Sequence, residues 1–110
     1  LGRFSDAIEA FKQAIRIKPD DAKAHNNLGV AYDQLGRFSD AIEAYKQAIR
    51  IKPDYADAHF NLGLIYLILG DKGSALEEYK ILKDLDTESA NKLFNLIYKW
   101  NSQDWLSIIA

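Results

Sequence analysis

The sequence predicts an all-α solenoid of antiparallel helix pairs, and three observations support this fold class. Residues 1–20 return at residues 35–54 with a single change, Phe11 to Tyr45. The same shift of 34 positions, from 1 to 35, brings nine residues of the segment 22–36 back within residues 56–70. The apolar residues within each unit recur at helical spacing. A fixed repeat of this length indicates that one helical unit is stacked in series and buries its apolar face against its neighbours.

Each repeat contains two predicted helices. The first spans residues 22–35, and Gly36 ends it because glycine accepts a left-handed backbone. Ser39 is the predicted N-cap of the second helix, since its hydroxyl can accept a hydrogen bond from a free backbone N–H. Pro53 ends that helix by excluding the preceding residue from helical geometry. The predicted buried stripes are Leu28, Ala31, Tyr32 and Leu35 in the first helix, and Ala41, Ile42, Tyr45, Ala48 and Ile49 in the second.

The repeat divides the chain into four segments. Residues 1–21 form the second helix of a truncated first repeat, and residues 22–55 form a complete repeat. Residues 56–89 form a degenerate repeat, because Thr87 stands where Pro19 and Pro53 predict a proline. A fourth unit opens at Ala90, so residues 90–110 are predicted to be a terminal helix and an apolar tail. Small residues are predicted at the closest helix contacts, namely Gly29, Ala41, Gly63 and Ala75.

Composition argues against several classes of partner. The net charge is −2 and neither sign forms a long block, so a nucleic acid partner is not expected. The longest apolar run, residues 64–69, is far shorter than the roughly 20 residues that cross a bilayer, and no signal peptide precedes it. The absence of cysteine excludes disulfides and thiolate metal sites. It does not identify a compartment, although the cytoplasm is favoured.

One family combines these residues at this spacing. Tetratricopeptide repeats follow the pattern W-x₂-L-G-x₂-Y, then A-x₃-F and a proline. His25-x₂-Leu28-Gly29-x₂-Tyr32, then Ala41-x₃-Tyr45 and Pro53, match at every position except the first, and residues 59–79 repeat the match. The chain therefore resembles the tetratricopeptide repeat (TPR) family from residue 1 to about residue 100. The resemblance implies a right-handed superhelix, a concave groove lined by the first helices that binds peptides or partner proteins, and no catalysis.

The groove is predicted to carry an apolar strip in its third and fourth units. If the core stripe of the third unit contains His59, Leu62, Gly63 and Tyr66, the remaining apolar residues of that helix lie on a second face. This face either docks an amphipathic helix or an extended peptide, or is covered by neighbouring repeats. The predicted binding residues are Asn26, Asn27, Val30, Phe60, Asn61, Leu64, Leu67, Ile68, Phe94, Asn95 and Tyr98.

Three asparagines recur at one repeat position, Asn27, Asn61 and Asn95. Stacked amides can donate to and accept from the backbone of an extended peptide. The arrangement is similar to the asparagine ladder in the repeat superhelix of O-linked N-acetylglucosamine transferase. Alternatively, each amide caps or bridges adjacent helices within the solenoid.

Other functional chemistry is not indicated. The carboxylate clamp of chaperone-binding family members is not supported, because Asn26, Val30, Asp57 and Asn61 stand at several of the places where its basic or amide residues would be needed. His25 and His59 lie one repeat apart without carboxylates at ligand spacing, so no metal site is predicted. No phosphate loop, nucleophile elbow or catalytic carboxylate pair appears, so neither catalytic activity nor a cofactor is expected.

The sequence therefore predicts a non-catalytic module that binds a peptide or partner helix in its groove. Two alternatives remain: a self-assembling scaffold, and the substrate-selecting arm of a larger enzyme such as a glycosyltransferase. Repeat arrays need terminal repeats with polar outer surfaces to remain soluble, so exposed apolar ends can support homo-oligomers. The apolar residues at these ends are Ile8, Phe11 and Ile15 at the first, and Trp105, Leu106, Ile108 and Ile109 at the other.

Overall fold

The computed structural model describes residues 2–99, and these residues form six α-helices with no β-strand among them. The helices are α1 (Arg3–Ile17), α2 (Ala22–Gln34), α3 (Phe38–Ile51), α4 (Ala56–Ile68), α5 (Lys72–Leu85) and α6 (Thr87–Lys99). Each helix packs against the next in the chain, and α4 also contacts α2 and α6. The predicted all-helical solenoid is thereby confirmed, within a flat body of 45 × 35 × 19 Å. No helix within residues 2–99 is long and apolar enough to cross a membrane.

Aspartates cap the start of three helices, and glycines follow the end of two. Asp21 accepts from the Ala24 N–H at 3.3 Å, Asp71 from the Ser74 N–H at 3.0 Å, and Asp86 from the Glu88 N–H at 3.1 Å. Gly36 and Gly70 follow α2 and α4 with φ of 74° and 80°, values that L side chains rarely adopt. The prediction that Ser39 caps α3 is wrong. The helix begins at Phe38, so Ser39 already lies in its first turn and is not the N-cap residue.

Two apolar clusters hold the array together. The first contains buried residues of α1 to α4, with Tyr45 at its centre, and the second contains buried residues of α4 to α6, including Leu82, Leu93 and Ile97. Two glycines allow the close approach. A Cβ at Gly29 would lie 2.5 Å from the Tyr45 ring, and one at Gly63 would lie 2.6 Å from Leu93. The small residues are therefore required where the helices come closest.

The last helix departs from the 34-residue register. It begins at Thr87, three residues before the predicted start at Ala90, because the α5–α6 connection is Asp86 alone whereas residues 52–55 connect α3 to α4. The buried residues of α6 are Ala90, Leu93 and Ile97. They recur at helical spacing and form one face of the helix.

Candidate functional site

The first helices of successive pairs, α2, α4 and α6, lie side by side and form one surface of the array, here called the inner face. On α2, Val30 is exposed and Asn27 is half-buried. Asn26 is buried, and its Oδ1 accepts a hydrogen bond of 3.3 Å from the side-chain amide of Asn61 on α4. The two amides thus bridge adjacent repeats, while Asn27 lies beside them at the surface.

The apolar strip of α4 is only partly available at this surface. Ile68 is 47% exposed, and Phe60 and Leu64 are half-buried where they pack against the second apolar cluster. Leu67, predicted to contact a partner, is instead buried inside that cluster. The alternative explanation, burial by neighbouring helices, therefore holds for Leu67 and for part of Phe60 and Leu64.

The three predicted residues of α6, Phe94, Asn95 and Tyr98, are all exposed. Phe94 packs on Tyr79 of α5 with ring centroids 5.1 Å apart, and Tyr98 packs on Phe94 at 4.5 Å. The Phe94 ring therefore contacts both α5 and the last turn of its own helix.

Sequence reasoning did not single out two other residues of α6. Leu96 is half-buried against the second cluster, and Lys92 is exposed with an ion pair to Glu88 at 3.4 Å. The helix also begins earlier than predicted, and the absence of a proline at position 87 was the available signal.

Acidic groups border the polar end of the inner face. Burial raises the pKa of the Asp33 carboxyl on α2. Tyr55, before α4, also has a raised pKa, mainly from burial and secondarily from the charges of Asp57 and Asp21, whereas a hydrogen bond with Asn26 opposes the shift. This part of the surface therefore favours partners without exposed negative charge.

His59 is buried beneath the inner face and has two partners. Its Nδ1 lies 2.7 Å from a carboxylate oxygen of Glu78, and its Nε2 lies 2.8 Å from the carbonyl oxygen of Pro53. A carboxylate and a carbonyl oxygen both accept, so this pair of partners favours the protonated imidazole, which donates from both ring nitrogens. Burial lowers the pKa of His59, but the bonds to Glu78 and Pro53 and the Glu78 charge outweigh it, and the pKa is raised overall.

His25 makes the same bond to the chain, with its Nε2 3.0 Å from the Pro19 carbonyl oxygen. Ala44 stands at the repeat position of Glu78, so no carboxylate faces this ring from that place on α3. Within residues 2–99 no three histidine or acidic side chains converge in a way that could hold a metal ion. The geometry gives His59 a structural role, in which it joins the α3–α4 connection to α5.

Comparison with known families identifies the repeats. A TPR repeat model matches residues 1–36 and 31–70, and a tetratricopeptide repeat model matches residues 56–89. The chain belongs to the tetratricopeptide repeat family. No curated protein matches it.

Solved structures of TPR domains share this fold. The TPR2B domain of yeast Sti1, in a complex with pHsp70, superimposes with a TM-score of 0.81 at 26% identity, covering 89% of this chain and 82% of that one. MamA gives 0.75 at 32% identity, covering 81% and 52%. The Sgt2 TPR domain from Aspergillus fumigatus gives 0.80 at 24% identity, covering 88% and 67%. The chain thus spans most of a TPR domain but about half of MamA.

Proposed function

We propose that this chain is a non-catalytic protein–protein interaction module that docks a peptide or partner helix on its inner face. The observation that carries the proposal is the exposure of Ile68 and Val30 on neighbouring first helices, together with Phe60 and Leu64, which are half-buried on the same helix as Ile68. Large apolar side chains at the surface favour contact with an apolar partner. The nearby amides of Asn27 and Asn61 can pair with the backbone of that partner.

The similarity to the Sti1 domain supports a peptide as partner, because that domain was solved in a complex with pHsp70. Recognition of a terminal carboxylate is not part of the proposal. Lys23 is the single lysine or arginine of α2, and α4 contains neither residue type but carries Asp57. An uncharged, partly apolar segment fits this surface better than an acidic peptide end.

The expected affinity is weak to moderate. Burial of one large apolar side chain contributes about 1.5–3 kcal/mol. Phe60 and Leu64 are already half-buried, so they gain only part of this amount on binding. The loss of translational and side-chain freedom offsets much of the remainder.

Two matched substitutions test the inner face. Ile68→Asp should weaken binding at least tenfold, because it places a charge in the apolar contact. Leu69→Asp is the control, since Leu69 is 53% exposed next to Ile68 at 47% but lies beyond the helix end. Partners captured by the unsubstituted chain would be purified and titrated by calorimetry against both variants. Circular dichroism checks that both variants remain helical. Equal affinities of Ile68→Asp and Leu69→Asp for the partner would then refute docking on the inner face.

Self-assembly is the second candidate, and the exposed rings at the two ends of the described chain, Phe4 and Tyr98, favour it. Sedimentation equilibrium over a hundredfold concentration range distinguishes it from a monomeric adaptor. A constant monomer mass would exclude the scaffold. The remaining alternative, a substrate-selecting arm, requires a catalytic domain in the same polypeptide and is tested on the parent protein.

A further inference from the structure

A crevice beside His25 lies between α2 and α3, the two helices of the first complete pair, and is here called the His25 crevice. It has a volume of about 260 Å³. Three of its lining residues are buried, namely Leu28, Tyr32 and Ala44, whereas Asp40 and Glu43 of α3 line it and are exposed. The crevice therefore combines apolar walls with carboxylates at its exposed edge.

A small side chain leaves this space open. In the next pair, α4 and α5, Glu78 occupies the repeat position of Ala44, and its carboxylate lies 2.7 Å from Nδ1 of His59. Both histidines lie with Nε2 near a proline carbonyl oxygen, at 3.0 Å for His25 and 2.8 Å for His59. Because Ala44 brings no carboxylate to the ring of His25, the space that Glu78 fills in the next pair can receive a ligand.

The polar groups around the crevice favour a cation. Asp40 is paired with Arg37 at 2.9 Å, but none of the ion pairs within residues 2–99 involves Glu43. In the neutral ring of His25, Nε2 is the donor to the Pro19 carbonyl oxygen, so Nδ1 is an acceptor. A carboxylate and an acceptor nitrogen are both complementary to a positively charged donor.

The walls suit the stem of a long basic side chain. Arg37 places its guanidinium 4.6 Å from the centre of the Tyr32 ring, which shows that this ring accepts a cation over its face. Lysine and arginine side chains cover apolar surface with their methylene groups while the charged end stays near water. Leu28 and Ala44 supply such an apolar surface, and Glu43 supplies the charge at its edge.

We propose that the His25 crevice binds a lysine or arginine side chain of a partner protein, with the charged end of that side chain at Glu43. The crevice is on a different side of α2 from the inner face. His25 and Val30 are five residues apart, which places them about 140° apart around the helix. The proposal therefore goes beyond docking on the inner face and does not depend on it.

Nuclear magnetic resonance of the full chain tests the proposal. The probe is a blocked pentapeptide with one arginine between alanines, and its matched control carries the uncharged isostere citrulline instead of arginine. The resonances of the Ala44 methyl group and the His25 ring should shift with the arginine peptide and not with the citrulline peptide. Glu43→Gln should weaken this binding about threefold, as expected for the loss of one exposed ion pair. Glu9→Gln is the control variant, because it removes the same charge at the same repeat position on α1, away from the crevice.

Ala44→Glu supplies a second measurement. Its side chain should fill the crevice and pair with His25, so binding should be lost although the variant adds a negative charge. Thermal unfolding checks that this variant is folded, and the comparison of Glu43→Gln with Glu9→Gln decides the question without it.

Equal affinities of Glu43→Gln and Glu9→Gln for the arginine peptide would overturn the proposal. Weaker binding by Ile68→Asp but not by Glu43→Gln would place the peptide on the inner face and equally overturn it. Tighter binding of the same pentapeptide with glutamate in place of arginine would show that the crevice takes a carboxylate, as His59 does. Shifts of the Ala44 methyl resonance that grow with protein concentration in the absence of peptide would place a second copy of the chain in the crevice instead of a partner protein.

Discussion

Replacing Glu78 by glutamine should destabilise the fold in a pH-dependent manner. The substitution removes the charge that faces Nδ1 of His59 at 2.7 Å and keeps the size of the side chain. A hydrogen bond to a charged group contributes about 1.5–3 kcal/mol when it is buried. His59 can lose its proton in the variant and still donate from Nε2 to Pro53, which avoids an unpaired buried charge. We therefore expect a loss of about 2 kcal/mol below pH 6.5.

The sign of the pH dependence follows from the raised pKa of His59. The unfolded histidine titrates near 6.5, and the folded one titrates at higher pH. The folded chain thus binds the extra proton above pH 6.5, so its stability falls as pH rises through the folded pKa. Below pH 6.5 the contribution is fully present. In Glu78→Gln the dependence of stability on pH should disappear. At high pH the unfolding free energies of the variant and the unsubstituted protein should approach each other.

Urea unfolding followed by circular dichroism between pH 5.5 and 9 measures both effects. Glu77→Gln is the control, because Glu77 is exposed and pairs only with Lys80 at 3.2 Å, a contact that contributes little. The reciprocal variant, Ala44→Glu, should create the same pair beside His25 in the crevice that both residues line. If Glu78→Gln and Glu77→Gln had equal stability, or if Glu78→Gln kept the slope, the buried ion pair would be refuted.

Two further predictions concern packing. Gly29→Ala should lower the unfolding free energy by about 1–3 kcal/mol, because its Cβ would lie 2.5 Å from the Tyr45 ring. Gly73→Ala should instead raise it by up to about 1 kcal/mol, because its Cβ would meet only a side-chain oxygen at 3.7 Å. Thermal unfolding of the pair checks the difference, and equal effects would contradict the close approach. Tyr45→Phe should raise the melting temperature, because its hydroxyl is buried without a hydrogen-bond partner among residues 2–99 and the equivalent residue of the first repeat is Phe11. A lower melting temperature would show that the hydroxyl has a partner.

The repeat pattern was sufficient to predict the helices, their order and most of the core. The positions of Leu28, Gly29 and Tyr32 depend on spacing within one helix, which the sequence states directly. Ile68 and Val30 were correctly expected at the surface for the same reason.

The start of α6 could not be predicted in this way, because it depends on the connection that precedes the helix. The repeat predicts a fourth unit that opens at Ala90, whereas α6 begins three residues earlier, at Thr87. The Asp86 carboxylate accepts from the Glu88 N–H and so caps the helix at this earlier position.

Leu67 illustrates a different limit. Its position within α4 is compatible with a surface residue. Leu67 is buried because neighbouring helices of the second cluster cover it, which the spacing within α4 does not reveal. The depth of a groove between two helices depends on how closely they approach, which for α4 and α6 follows from the contact of Gly63 with Leu93. Pattern analysis of one helix contains no information on that distance.

Helix α4 contributes to both apolar clusters, with Leu62 and Ile65 in the first and Leu67 in the second, while Tyr66 packs against each. A rupture between the two halves of the array would therefore have to break this shared helix. Because both clusters need α4, the loss of one cluster weakens the other. The two halves of the array should therefore unfold together rather than repeat by repeat.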